Sequence, residues 1–180
     1  KTLVVACCDS RVDPAILLHC KPGDLFVIRN VAALVPAVTQ ASNPCSVMSA
    51  IEYGVKHLNV EHIVVMGHSH CGGIHGLMTP ESIAGETYIQ DWVSIASPAL
   101  ERLQAMTGDE DEKTRSRHCE EGAVLISLDN LLSYPWIAER VKNGQLKLHA
   151  LYYDLSEGNL YRFSPDSEDF ELLFHTIENP

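Results

Sequence analysis

Two short stretches about sixty residues apart constrain this chain more than anything else in it: Cys7-Cys8-Asp9-Ser10-Arg11 and His68-Ser69-His70-Cys71-Gly72-Gly73. Each follows a mostly β-branched apolar run, Leu3-Val4-Val5-Ala6 and His62-Ile63-Val64-Val65-Met66. Such runs read as buried parallel strands, which places the two stretches at the carboxyl edge of a sheet. Open α/β sheets bind their ligands in the crevice outside that edge. Thiols and imidazoles delivered there from neighbouring strands have the ligand types of a tetrahedral zinc site with one position left open.

The rest of the chain fits that frame. Its 180 residues suit a single domain spanning 1–180, and 46% hydrophobic with 21% charged residues is ordinary globular composition. A net charge of −11 disfavours nucleic acid and anionic membrane surfaces as partners. No apolar run approaches the roughly 18 to 20 residues that a membrane-spanning helix needs. The chain opens inside its first strand, at Lys1 without a Met, so a preceding N-terminal segment is expected. Six cysteines in apolar or motif-like surroundings point to reduced thiols and a cytoplasmic setting.

Along the chain, strands are expected at about 2–6, 25–29, 62–66 and 146–154. A last strand at 160–163 pairs with the fourth as a hairpin through Ser156-Glu157-Gly158-Asn159. Asp13-Pro14 starts a short helix reaching about His19. Val31 to Asn43 reads as loop, and Ser42-Asn43-Pro44 opens an amphipathic helix from Cys45 to Leu58. Further helices are expected near 74–78, over 88–106, 114–132 and 135–141, with Gly108-Asp109-Glu110-Asp111-Glu112 as a solvated acidic loop. The fold class is α/β: a mainly parallel central β-sheet flanked by helices, with an antiparallel edge strand.

His68 and Cys71 lie three apart on a tight turn and can converge on one ion. The third ligand is Cys7 or Cys8, because consecutive strand residues face opposite sides of a sheet. His70, directly before Cys71, is the competing imidazole and suits a supporting or surface role better. Asp9 and Arg11 can fold over the same side of their turn, where the guanidinium keeps the carboxylate ionised and oriented. Gly72-Gly73 opens a helix whose backbone N–H groups face an anion. A disulfide between the adjacent Cys7 and Cys8 is geometrically poor, which disfavours a redox role.

Cys7-x-Asp9-x-Arg11 followed by His68-x-x-Cys71 resembles the β-class carbonic anhydrases. The likeness extends through Gly23–Asn30, Ala50–Tyr53, Glu61–His68 and Tyr153-Asp154. It implies one zinc ion per chain on Cys7, His68 and Cys71, and reversible hydration of carbon dioxide to bicarbonate and a proton by attack of zinc-bound hydroxide. By the same resemblance Asp9 and Arg11 are catalytic: Asp9 orients the hydroxide, and Arg11 holds Asp9 off the metal. The substrate pocket would be Phe26, Val31, Tyr53 and a backbone N–H of Gly72, partly across the interface of a homodimer or dimer-based oligomer. Relatives with a regulatory bicarbonate pocket carry Trp where this chain has Val4, so the plant-like subtype is favoured. Some similar proteins hydrolyse carbon disulfide instead.

Overall fold

In the computed structural model, residues 1–41, 45–106, 108 and 110–175 are described. The sheet runs β2-β1-β3-β4-β5-β6: β1 is Thr2–Cys7, β2 Leu25–Asn30, β3 His62–His68, β4 Lys147–Asp154, β5 Asn159–Ser164 and β6 Asp169–His175. The first four strands pair in parallel and the last two antiparallel. Side chains alternate between the sheet's faces. Val4, Ala6, Val64, Met66, Leu151 and Tyr153 join one apolar layer. Leu3, Val5, Ile63, Val65, Ala150 and Tyr152 join the other.

Helices cover both layers: α1 is Pro14–Leu17, α2 Ser46–Lys56, α3 Gly72–Met78, α4 Thr87–Val93, α5 Ser97–Ala105, α6 Glu112–Leu132 and α7 Pro135–Lys142. Ile74 and Leu77 of α3 pack in the first layer. Ile51 and Val55 of α2, Val124 of α6 and Ile137 of α7 pack in the second. Two close approaches fix this stacking. A Cβ on Gly67 would lie 2.4 Å from Val124 Cγ2, and one on Gly54 would lie 2.6 Å from Leu3 Cδ1.

The α/β class, the parallel core and the antiparallel edge are as expected; Val31–Ala33 is a 3-10 turn where loop was expected, α6 begins already at Glu112 of the expected acidic loop, and three larger differences follow. The helix expected over 88–106 is broken into α4, a 3-10 turn at Ser94–Ala96, and α5. Pro98 has no N–H to continue the ladder and sits instead in the first turn of α5. Helix α1 stops at Leu17, because His19 turns into the left-handed region at φ 51°. The antiparallel edge has a further strand, β6, which alternation did not mark: Leu172 and Leu173 are both about half exposed. Ser42-Asn43-Pro44, expected to open α2, and Asp109 of the acidic loop lie outside the described residues.

Candidate metal centre

Strands β1 and β3 are neighbours in parallel register, Ala6 opposite Met66, so both stop at the same height. From there β1 connects to β2 on one side, while β3 leads on to β4 on the other. This is the switch point where α/β sheets form their ligand crevice. Cys7 ends β1, His68 ends β3, and Cys71 precedes α3. The ligand atoms of Cys7, His68 and Cys71 all lie within 4.8 Å of one another, and all three residues are buried. Strand alternation thus separates the two thiols left open by the sequence: Cys7 faces the cluster and Cys8 faces solvent.

The donor set fits a metal ion. His68 Nδ1–H donates to the Ser69 carbonyl at 2.8 Å, leaving the Nε2 lone pair for another partner. Among the described residues, that Nε2 is the one buried side-chain N or O atom without a hydrogen bond. An orphaned buried polar atom costs about 1–3 kcal/mol, and a cation beside it removes that cost. Two thiols and one imidazole are the soft, borderline ligands that zinc takes. Their protons answer to each other. The Cys71 thiol, followed by His68 and the Asp9 backbone, draws Cys7 well below the usual thiol value against the opposing effect of burial. Cys71 is pushed up by the Cys7 sulfur and by burial, opposed by the N–H groups of Ile74 and Gly73. Burial lowers His68, but the Cys7 sulfur and the Ser69 carbonyl outweigh it and leave His68 raised. One thiolate here disfavours a second, and a bound dication would offset that repulsion.

The flanking loops are held by backbone contacts. Arg29, at the end of β2, donates to the carbonyls of Cys7 (2.9 Å), Asp9 (2.6 Å) and Val12 (2.8 Å). Ala32 and Ala33 both adopt left-handed backbone (φ 62° and 55°), a conformation costly for alanine. This points the Ala32 N–H at Cys7 Sγ, 3.4 Å away. Trp92 Nε1 donates to the Val31 carbonyl at 2.8 Å, bracing the same turn from α4.

Asp9 and Arg11 form the expected pair. Arg11 Nε and backbone N–H reach Asp9 Oδ1 at 2.9 Å each, and Nη2 reaches Oδ2 at 2.7 Å. The guanidinium holds the Asp9 carboxyl well below the usual carboxylate range. Nη2 also donates to the His70 carbonyl at 3.2 Å, tying the first motif to the second. His70 has no place in the cluster: it is exposed, in left-handed backbone at φ 56°, with Nε2 3.1 Å from Ser156 Oγ.

The expected substrate residues divide. Val31 lies beside the centre, its Cγ1 2.6 Å from where a Cβ on Gly73 would stand. Gly72, by contrast, has open space around its Cβ direction. So Gly73 is the glycine that packing requires, while Gly72 leaves its surroundings clear. Phe26 and Tyr53 are not brought to the centre of their own chain. Phe26 pairs with Leu3, four residues before Cys7, or roughly 13 Å along the strand. Its ring lies 6.3 Å from that of Tyr53, which is 52% exposed.

One residue escaped the sequence reading. Glu120 of α6 is 5% exposed, accepts the Cys71 N–H at Oε1 (3.1 Å) and accepts the Tyr152 O–H at Oε2 (2.7 Å). The only sequence signal was an acidic residue at a core-facing position of a charged helix.

Comparison with known proteins bears on this geometry. The family model described as carbonic anhydrase matches residues 2–160. β-Carbonic anhydrase 5 of Arabidopsis thaliana, a chloroplastic protein, is 41% identical over 167 residues, covering 92% of this chain and 55% of its own. The mitochondrial β-carbonic anhydrase 6 of the same plant is 40% identical over 174 residues, covering 94% and 59%. The chain thus spans somewhat over half the length of these relatives. Among solved structures, the β-carbonic anhydrase CcaA superposes with a TM-score of 0.90 at 30% identity, covering 96% of this chain and 83% of that one. The Coccomyxa β-carbonic anhydrase in complex with acetazolamide gives 0.78 at 27%, covering 98% and 79%. A tetrameric enzyme of Sordaria macrospora gives 0.76 at 31%, covering 91% and 80%.

Proposed function

The chain belongs to the carbonic anhydrase family, and we propose that, as one catalytic domain spanning 1–180, it interconverts carbon dioxide and bicarbonate. The observation that carries this reading is the Cys7-His68-Cys71 cluster with its unpartnered His68 Nε2, set beside an Asp9 carboxylate locked by Arg11. These three residues would hold one zinc ion per chain, whose Lewis acidity makes water a nucleophile near neutral pH.

The chain's own groups do the remaining work. Asp9 stays ionised because Arg11 binds both its oxygens. Oδ1 already accepts twice from Arg11, but Oδ2 accepts from it only once and keeps a lone pair, with which Asp9 can accept a hydrogen bond from the attacking water and aim that water's free lone pair at the carbon. Arg11 keeps the carboxylate from swinging toward the ligand cluster. Val31 gives the site an apolar wall suited to an uncharged substrate, and the Gly72 N–H, at the start of α3, meets a substrate oxygen. Phe26 and Tyr53 act across an interface, completing the partner's pocket in a homodimer or dimer-based oligomer. Free thiols at all six cysteines support a reducing compartment such as the cytoplasm or the organelle interiors for which two plant relatives are named.

A stopped-flow pH-indicator assay on zinc-loaded protein tests the reading. Carbon dioxide hydration that acetazolamide inhibits is the expected result. A folded protein with about one zinc per chain and no hydration above the buffer rate overturns it.

A further inference from the structure

The turn Ser69–Cys71 has an unusual support. On the side facing α6 lies a cavity of about 530 Å³ whose lining includes His70, Cys71, Arg117, Glu120 and Tyr152. A turn backed by open space is held by hydrogen bonds rather than by packing. Ser69 N–H donates to the Tyr153 carbonyl at 2.9 Å, the Leu155 N–H donates to Ser69 Oγ at 2.8 Å, and the His70 carbonyl accepts from Arg11. The Cys71 N–H is the last backbone donor before α3, and its acceptor comes from a distant helix: Glu120 Oε1, 49 positions along the chain. The second oxygen of Glu120 is taken by Tyr152, which is fully buried and pairs with Gly67, the residue before His68. A single carboxylate thus joins α6, the Cys71 turn and the strand beside His68.

From this juxtaposition we infer that Glu120 is a positioning residue for the metal: it fixes the backbone of Cys71 so that its sulfur meets the ion together with Cys7 and His68. A carboxylate is a suitable choice because it accepts from two donors at once and can offer each a strong, charge-assisted bond. A turn left free to rock displaces a sulfur from tetrahedral geometry, and groups that orient a ligand in this way typically account for about 10- to 100-fold in metal affinity. The inference rests on Cys71 being a zinc ligand.

The test measures zinc affinity by competition with a chromophoric chelator, and the ligand geometry by the visible absorption of the cobalt-substituted protein. Glu120→Ala removes both acceptors and is expected to weaken zinc about 10- to 100-fold and to change the cobalt spectrum. Should that variant fail to fold, Glu120→Asp, which withdraws the carboxylate by one methylene, is expected to do the same. Glu120→Gln retains an acceptor for the Cys71 N–H and should bind zinc clearly more tightly than Glu120→Ala. Tyr152→Phe, which leaves the Cys71 bond in place, should lower Tm while sparing the cobalt spectrum. Wild-type affinity and spectrum in a folded Glu120→Ala or Glu120→Asp protein overturn the inference, as does a Gln variant no better than Ala. Wild-type protein that binds no zinc overturns the proposed function as well, so the two failures are distinguishable.

Discussion

Gly72 and Gly73 stand side by side in sequence and carry different burdens. A Cβ on Gly73 would meet Val31 Cγ1 at 2.6 Å and Ala32 Cβ at 3.1 Å, whereas one on Gly72 meets nothing within 4 Å. Gly73→Ala is therefore expected to cost about 1–3 kcal/mol by overpacking, read as a fall in denaturant midpoint. Gly72→Ala should stay within about 0.5 kcal/mol. At the same scale, Asp9→Asn keeps the shape of the carboxylate but loses its charge. It is expected to lower kcat/KM for hydration by roughly 10²-fold or more while zinc content is unchanged, a split that metal analysis beside stopped-flow kinetics checks. The candidate ligands were legible in the chain because Cys7 and His68 each end an apolar run and Cys71 follows His68 by three residues. Spacing alone left Cys7 and Cys8 open and the family resemblance favoured Cys7; the structure buries Cys7 and exposes Cys8. Glu120 was hidden because a sequence does not say which turn of a charged helix faces inward.

Between elements, Gly67 of β3 lies so close to Val124 of α6 that an added Cβ would stand 2.4 Å from Val124 Cγ2, closer than at Gly54 or Gly73. Gly67→Ala should be markedly destabilising by overpacking and Val124→Ala moderately so by leaving a void, with the double variant better than the sum of the two, since the added methyl takes the space the truncation vacates. A thermal-denaturation cycle over the four proteins measures that coupling. Away from the Cys7-His68-Cys71 cluster, His62 Nδ1 of β3 lies 3.0 Å from His149 Nε2 of β4. Burial lowers His149, and the charges of His62, Arg162 and Lys147 lower it further. The fold therefore favours the neutral ring, and its contribution is fully present above the ordinary histidine value of 6.5 and is lost as pH falls below it. His149→Gln is expected to flatten the decline of Tm as pH is lowered through that range. Periodicity located most elements but not their breaks. A 3-10 turn preserves the apolar spacing from Thr87 to Ala105 while Pro98 interrupts the bonding. The β5–β6 pairing shifts register between Leu160, opposite Phe174, and Tyr161, opposite Leu172, which spoils simple alternation in β6.

For the whole molecule, the separation of Phe26 and Tyr53 from the Cys7 cluster is the decisive feature. If each pocket is completed by a partner, two defective proteins can repair each other. A mixed dimer of Asp9→Asn and Phe26→Ala subunits contains one pocket with every residue intact. Mixing the two weakly active variants after reversible dissociation is expected to raise hydration above either alone, with the dimer confirmed by analytical ultracentrifugation. No gain on subunit exchange would place Phe26 outside the pocket. This separation is invisible in a linear sequence, where Phe26 lies nearer to Cys7 than His68 does.

The long reach from Cys71 to Glu120 has a further consequence when the protein is made. Synthesis runs at about 5–20 residues per second, so the 49 positions between them take about 2–10 s to emerge. During that interval the three ligands can already be outside the ribosome while the helix that steadies their turn is still being assembled. A nascent chain in this state carries reactive sulfur without its brace. Early metal capture would shield those atoms from oxidation, and zinc supply during translation would then set the yield of active protein more strongly than zinc added after purification.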